Sequence, residues 1–330
     1  MSRRWWTLAL LVVIMLALPA WALAQAKPRD KMTFQFAWIP YGKYAGFYMA
    51  KELGYYDQAG LDVTFIRGHG MADSLKTLAA GHAELGEVNQ MGSVGGRARG
   101  ALNREVLMFH DKAMEVFYCL EKHGIRKPKD LEGKSIAAPA GDSQRNMFPI
   151  FARVAGIDTS KVRWITVDGA QRDAMVLTRK ADAATGFALQ IPVVTKMAKA
   201  QNLNVHFIKW ADHGFDLYSN VLLTSDEFAR SNPNLVRGFV QATIRGHEAA
   251  FEAPDEAIAI MLKQQPTLDR EVARAELDIV KDLVLTEGTK RHGIGWFNEK
   301  MLQNSVDWVA EVFKVEKPPV ASLYTNEFLK

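Results

Sequence analysis

The chain has 330 residues, of which 48% are hydrophobic and 24% are charged. This composition is typical of folded soluble protein and excludes both a disordered chain and a multi-span membrane protein. The 41 basic and 37 acidic residues leave a net charge of +4 and are interleaved, so the sequence has no basic stripe for nucleic acid. A single cysteine, Cys119, excludes a disulfide framework and a cysteine-rich zinc site.

Residues 1–24 have the pattern of a secretory signal peptide. Arg3 and Arg4 form the positive region, residues 8–18 form the apolar region, and an Ala-Leu-Ala motif follows at the distance that signal peptidase needs. We therefore expect cleavage after Ala24 and export to the periplasm, by the Sec route in preference to the twin-arginine route. The alternative is a permanent anchor, because the uncharged run is long enough to span a bilayer as a helix.

The chain that follows alternates between strand and helix patterns. The first predicted helices end at glycines, among them Gly54 and Gly81. Because parallel strands need helical crossovers, this alternation predicts a parallel α/β sheet. The predicted strands of this first series are residues 33–39, 61–66, 83–87 and 105–109.

A second α/β series begins after an apolar strand predicted at residues 114–120. A return strand is expected at 218–224, and the chain from residue 226 onward has only helical patterns. Roughly 300 residues exceed a single core, so we expect two α/β lobes with the helical tail folded on the first. The predicted strands of the second series are residues 134–138, 162–167, 181–185 and 205–208.

The string AGFYMAKELGYYDQAGLDVTF at residues 45–65 resembles ABC-importer substrate-binding proteins of the sulfonate and thiamine-pyrimidine-precursor class. Further strings match this class in the same order along nearly the whole chain after residue 24. They are WIP at residues 38–40, LAAG at 78–81, DLEGK at 130–134 and LYTNEFL at 323–329.

The resemblance implies a type II periplasmic-binding-protein fold, in which two α/β lobes joined by two crossover strands close over a ligand. The predicted strands at 114–120 and 218–224 fit the crossovers. Residues 25–119 and 218–330 would form the first, discontinuous lobe, and residues 120–217 the second. The implied partners are a small-molecule ligand and the transmembrane subunits of an ABC permease. We expect a monomer without a catalytic residue, metal or cofactor.

Ligand sites in such sheets lie beyond the carboxyl ends of the strands, and this rule nominates the site residues. Trp38 ends the first strand and Tyr41 follows it, and their rings suit a flat ligand, with core packing as the alternative. Asn89 and Gln90 follow the third strand, where amides orient a polar ligand or cap a helix. Phe187 follows a strand of the second series and is expected to close the pocket from that lobe.

Gly141, Asp142 and Ser143 open a helix after a predicted strand and offer free backbone N–H groups to an anion or a carbonyl. The alternative is that Asp142 or Ser143 caps the helix and uses those donors internally. Arg145 lies in the first turn, where the helix dipole disfavours a cation. A carboxylate or sulfonate ligand would explain the position of this arginine.

The resemblance implies a solute-binding receptor of an ABC importer. A pyrimidine-like or thiamine-precursor-like ligand is our first choice because of Trp38 and Tyr41, and a sulfonate or aromatic carboxylate is the second because of residues 141–145. One alternative is an exported or cytosolic enzyme of pyrimidine metabolism on the same scaffold. The sequence has no HExxH, Walker A or GxSxG motif. The pyrimidine synthases of this fold carry a cysteine-rich motif, which a chain with one cysteine cannot supply. Another alternative is a sensor for a membrane signalling protein.

Overall fold

The computed structural model describes residues 28–38, 40–69, 71–140, 142–215 and 217–330. The predicted signal peptide and Gly141 lie outside the described residues. Within the described part of the chain, no helix is both long enough and apolar enough to cross a membrane.

In the described part of the chain, ten strands form two sheets of five. In chain order the strands are β1 (Asp30–Gln35), β2 (Leu61–Ile66), β3 (Leu85–Asn89), β4 (Asn103–Met108), β5 (Glu115–Leu120), β6 (Ser135–Ala138), β7 (Arg163–Thr166), β8 (Ala183–Phe187), β9 (Val205–Lys209) and β10 (Asn220–Ser225).

The α-helices connect these strands and form the C-terminal part of the chain. They are α1 (Ala45–Glu52), α2 (Tyr55–Gln58), α3 (Met71–Ala79), α4 (Gln90–Ala98), α5 (Ser143–Ala155), α6 (Arg172–Leu177), α7 (Ile191–Lys199), α8 (Asp226–Ser231), α9 (Pro233–Glu252), α10 (Pro254–Gln264), α11 (Arg270–Val284), α12 (Glu287–His292) and α13 (Glu299–Phe313).

The two sheets have the same topology. The first has the order β2-β1-β3-β10-β4, and the second has the order β7-β6-β8-β5-β9. Among the strands named above, the fourth in each sheet is the one that runs antiparallel to its neighbours, and it is the strand that reaches this sheet directly from the other. We call each sheet with its packed helices a lobe, and residues 109–114 and 210–219 the two crossings.

The observed strands and helices follow the predicted order, with shifted ends. The predicted first strand ran to residue 39, but β1 ends at Gln35. The N–H groups of Ala37 and Trp38 donate to side chains of Glu87 and Tyr44 instead of to a neighbouring strand. The strand predicted at 114–120, whose residues up to 119 were assigned to the first lobe, pairs with β8 and β9 in the second sheet.

Close contacts between small residues fix the helices of the first lobe. A side chain at Gly46 would overlap His247, and one at Gly246 would lie 2.4 Å from the Gly46 carbonyl, so α1 and α9 pack backbone against backbone. Similarly, a Cβ at Gly42 would lie 1.9 Å from the carbonyl oxygen of Ala273 on α11. This approach holds the loop after β1 against the C-terminal helices.

The lobes also contact each other away from the sheets. On one side α13 packs against α5, Phe215 and Trp308 pack ring against ring, and Arg153 pairs with Glu311. On another side the turn after β8 packs against α11, so that Leu189 lies in the apolar cluster of the first lobe. The facing strand ends therefore lie between two sets of contacts.

Candidate functional site

A buried carboxylate organises the strand ends of the first lobe. Glu87 on β3 is fully buried and accepts hydrogen bonds from Lys43 Nζ (2.8 Å) and the Tyr44 hydroxyl (2.8 Å). It also accepts from the Ala37 N–H (3.2 Å) and from Asn220 Nδ2 (2.5 Å). One cation and three neutral donors satisfy this charge, so it forms a fixed polar base for the site.

The two aromatic residues after β1 lie beside the first-lobe network, and Tyr41 also lies near Arg172 of the second lobe. Trp38 is 42% exposed, and its backbone N–H donates to the Tyr44 hydroxyl at 3.3 Å. Burial, and then the negative charge of Glu276, raise the pKa of Tyr41 to about 12, while Arg172 of the second lobe opposes the shift. Tyr41 is thus a protonated phenol near charged groups of both lobes.

The amides after β3 have their side chains engaged within the first lobe. Asn89 Oδ1 accepts from the Met91 N–H at 3.0 Å and caps α4, as the capping alternative described. Gln90 is fully buried, and its Nε2 points towards Glu105 on β4 at 3.5 Å. Asn89 remains half-buried at the strand end, whereas Gln90 faces the interior.

Asp142 organises the strand ends of the second lobe. Its Oδ1 caps α5 by accepting from the Arg145 N–H (2.9 Å), and its Oδ2 accepts from Thr185 Oγ1 (3.1 Å). Arg172 Nη1 lies 3.7 Å from the same oxygen. Burial raises the pKa of Asp142 despite these hydrogen bonds. Gly141, the preceding residue, lies outside the part of the chain that is described.

The side chains of Ser143 and Arg145 make their contacts within the second lobe. The Ser143 hydroxyl donates to Gln144 Oε1 at 3.0 Å. The Arg145 guanidinium donates to Thr166 Oγ1 at 2.8 Å and lies over the ring of Trp164, 5.2 Å from its centre. The arginine is therefore bound to β7 at the edge of the second sheet.

Phe187 and its neighbours extend the second lobe towards the first. Phe187 is the last residue of β8 and packs against the apolar cluster of the first lobe. Its N–H donates to Gln190 Oε1 (3.0 Å), and the same oxygen accepts from Arg172 Nη2 (2.8 Å). The sequence analysis did not identify Arg172 or Gln190, which have no motif and meet only in the folded chain.

Carboxylates outnumber cations around the facing strand ends. Burial raises the pKa of Glu115, the first residue of β5, to about 7, with a further contribution from Asp142. Burial likewise raises the pKa of Glu276 to about 7, and Glu276 accepts from the Gly42 N–H at 2.7 Å. Four carboxyl side chains, Glu87, Glu115, Asp142 and Glu276, lie near these strand ends together with Lys43 and Arg172, and both of these cations already contact a carboxylate.

Comparison with known proteins agrees with this architecture. The aliphatic sulphonate binding protein SsuA of Escherichia coli, a periplasmic protein, superposes with a TM-score of 0.70 at 16% identity, covering 89% of this chain and 91% of that one. The fold is therefore the α/β periplasmic-binding-protein fold, as the resemblance implied. The profile of the NMT1/THI5 like family matches residues 42–257, and the chain belongs to this family.

Curated relatives of the chain include both binding proteins and enzymes. The riboflavin-binding protein RibY of Chloroflexus aurantiacus is 24% identical, over 91% of this chain and 86% of its own. The formylaminopyrimidine-binding protein of Halalkalibacterium halodurans is 22% identical, over 86% of each. A 4-amino-5-hydroxymethyl-2-methylpyrimidine phosphate synthase of Legionella pneumophila is 20% identical, over 74% of this chain and 77% of its own.

Proposed function

We propose that this protein is a solute-binding receptor of an ABC importer that captures a small planar heterocycle between its lobes. The binding-protein relatives support the class, and the geometry of the facing strand ends supports the mode of binding. Each lobe presents one organised carboxylate, Glu87 or Asp142, and aromatic residues lie at strand ends of both lobes, Trp38 and Tyr41 after β1 and Phe187 at the end of β8. Ligand clefts combine a few fixed polar groups with aromatic walls in this way.

The charged groups at the strand ends favour one ligand class over the other. The carboxylates named above exceed the cations, and Lys43 and Arg172 are engaged with Glu87, Asp142 and Gln190. An anionic ligand would lie beside carboxylates whose cations are already engaged, and it would oppose the ionisation of Glu115 and Glu276, which costs free energy. A neutral or amino-bearing heterocycle instead donates N–H groups to these oxygens. A pyrimidine-like ligand is therefore the first choice, and a sulfonate or aromatic carboxylate held by Arg145 is the second.

We further propose that the ligand-binding residues are Trp38, Tyr41 and Asn89 of the first lobe and Asp142 and Phe187 of the second. The side chains of Gln90, Ser143 and Arg145 bind other residues of the protein. These three residues would contribute to the site through their backbone or by holding neighbouring residues in place. The backbone of Gly141, next to Asp142, completes the proposed set.

The transport cycle follows from the two crossings. We propose that they act as hinges at residues 109–114 and 210–219. The first lobe then consists of the chain before the first crossing and after the second, and the second lobe consists of the chain between them. The loaded, closed receptor then delivers its ligand to the permease. Under this proposal the chain is exported after cleavage at Ala24 and acts as a monomer in the periplasm.

The decisive experiment is isothermal titration of the chain from Gln25 onward with riboflavin, a formylaminopyrimidine, an alkanesulfonate and an aromatic carboxylate. Micromolar or tighter binding of a heterocycle alone supports the proposal. Binding of only the sulfonate or the carboxylate would select the second ligand class. Binding of none would overturn the receptor role for these solutes.

The synthase relatives leave an enzyme as the second candidate function. Incubation of the purified protein with candidate pyrimidines and analysis by mass spectrometry separates the two, because a receptor returns its ligand unchanged. A sensor differs from an importer component only in its partner. Co-purification with permease subunits distinguishes these roles.

A further inference from the structure

A buried histidine at the first crossing has no hydrogen-bond partner for its ring. His110 is fully buried, and neither Nδ1 nor Nε2 has a partner among the described residues. Buried polar atoms are nearly always hydrogen-bonded, because an unpaired one loses its interactions with water without replacement. Packing alone therefore favours an apolar residue at this position, and the imidazole needs another explanation.

The surroundings hold this ring in place and keep it uncharged. The His110 N–H donates to the Asn220 carbonyl (3.0 Å), and its own carbonyl accepts from the Ser219 N–H (3.1 Å). The ring stacks on Phe109 with the centroids 4.2 Å apart. Burial, followed by the charge of Lys43, lowers the pKa of His110 well below its usual value. A neutral imidazole offers one donor and one acceptor, and both are unused.

The position of His110 links it to the proposed ligand site. It lies in the first crossing, and its backbone pairs with the end of the second, so it lies where the two lobes meet. The adjacent Asn220 donates its side-chain N–H to Glu87, the centre of the first-lobe network. The backbone of His110 is thus hydrogen-bonded to the residue whose side chain binds the polar base of the site.

We propose that His110 contacts the bound ligand and recognises a polar edge of a nitrogen heterocycle that carries a donor beside an acceptor. This inference rests on the proposed function. When such a ligand binds, the imidazole gains the partners that the protein does not supply. An analogue without the donor and acceptor leaves the buried ring unpaired and is rejected for that reason.

The test compares stability and affinity in the same variants. Wild-type protein is first titrated with riboflavin and with 4-amino-5-hydroxymethyl-2-methylpyrimidine, and the probe that binds is used for the variants. His110→Phe removes both ring nitrogens and keeps an aromatic ring beside Phe109. It should melt at or above the wild-type temperature and bind about 10- to 100-fold more weakly, the effect of a lost buried hydrogen bond. His110→Gln, which keeps a donor and an acceptor, should recover part of the affinity.

Phe151→Leu is the matched control. Phe151 is also fully buried in an aromatic stack, but it lies in the middle of α5 in the second lobe and has no polar ring atom. This variant should lose stability and keep its affinity within about twofold.

Unchanged affinity in folded His110→Phe would overturn the inference and leave an ordered water as the partner of the ring. If that variant does not fold, ¹⁵N NMR of the wild-type imidazole decides. Ring shifts that do not change when the probe binds would also overturn it. If wild-type protein binds neither of these two heterocycles, this inference fails, and the proposed function fails with it only if the formylaminopyrimidine does not bind either.

Discussion

Lys43 and Glu87 form an ion pair that is almost completely buried. The Lys43 Nζ to Glu87 Oε1 distance is 2.8 Å, and the two side chains are 4% and 0% exposed. The pair joins the loop after β1 to β3, and the Tyr44 hydroxyl binds the second carboxylate oxygen. Because neither charge has access to water, each depends on the other and on the neutral donors around it.

Lys43→Met is expected to destabilise the protein by about 3–5 kcal/mol, because it leaves Glu87 as a buried charge without a cation. Chemical denaturation at pH 7 measures the change. Lys263→Met is the matched control, since Lys263 pairs with Glu52 on the surface at 2.7 Å. That exposed pair should contribute less than about 1 kcal/mol. Equal stability of the two variants would contradict a structural role for the buried pair.

Trp38→Ala should weaken heterocycle binding at least about tenfold, because the variant removes an aromatic surface beside the cleft. Stability should change little, since the indole is 42% exposed. Titration and thermal melting measure the two effects. Leu102→Ala, at an apolar position that is 72% exposed and distant in the fold from the strand ends, should change neither. Affinity that survives Trp38→Ala would remove this residue from the proposed site.

Arg145→Ala distinguishes the two ligand classes. The guanidinium is bound to Thr166 and lies over Trp164, so its loss should leave the affinity for a neutral heterocycle within about twofold. A sulfonate or carboxylate held by this arginine should bind at least about tenfold more weakly to the variant. Titration of both ligand types measures the difference. A heterocycle that loses affinity would show that Arg145 belongs to the site after all.

Stability should fall as the pH rises through the range in which buried Glu105 ionises. Burial raises the pKa of Glu105 to about 8, against hydrogen bonds from Ser93 and Gln90 that lower it. The folded protein then holds a proton that the unfolded chain releases near pH 4.5. The stability that protonated Glu105 contributes is therefore complete below pH 4.5 and is lost towards pH 8.

Glu105→Gln keeps the shape of this side chain and cannot ionise. The melting temperature of the variant should depend less on pH between about 5 and 8 than that of wild type. The stability of the variant relative to wild type should be greatest near pH 8. Melting curves at four pH values in this range test the expectation. Parallel profiles for wild type and variant would assign the pH dependence to other groups, such as Glu115 and Glu276.

Local sequence patterns were sufficient for the order of the strands and helices and for the caps. The strand at Leu61–Ile66 has the predicted ends, and Asp142 and Asn89 cap the helices that follow them. These features depend on side-chain periodicity and on hydrogen bonds that span two or three residues. The resemblance of several ordered strings identified the fold and the family for the same reason, since those strings record the same short-range elements.

Only the tertiary structure decided which side chains meet at the strand ends. Gly42 and Glu276 are 234 positions apart, and Glu87 and Asn220 are 133 apart, yet each pair is hydrogen-bonded. The transfer of β5 to the second sheet likewise depends on pairing with β8 and β9. Long-range pairing and burial set these contacts and the resulting pKa values, and no local pattern carries that information. The sequence therefore determined the family of the protein, and folding determined which polar groups meet at the strand ends.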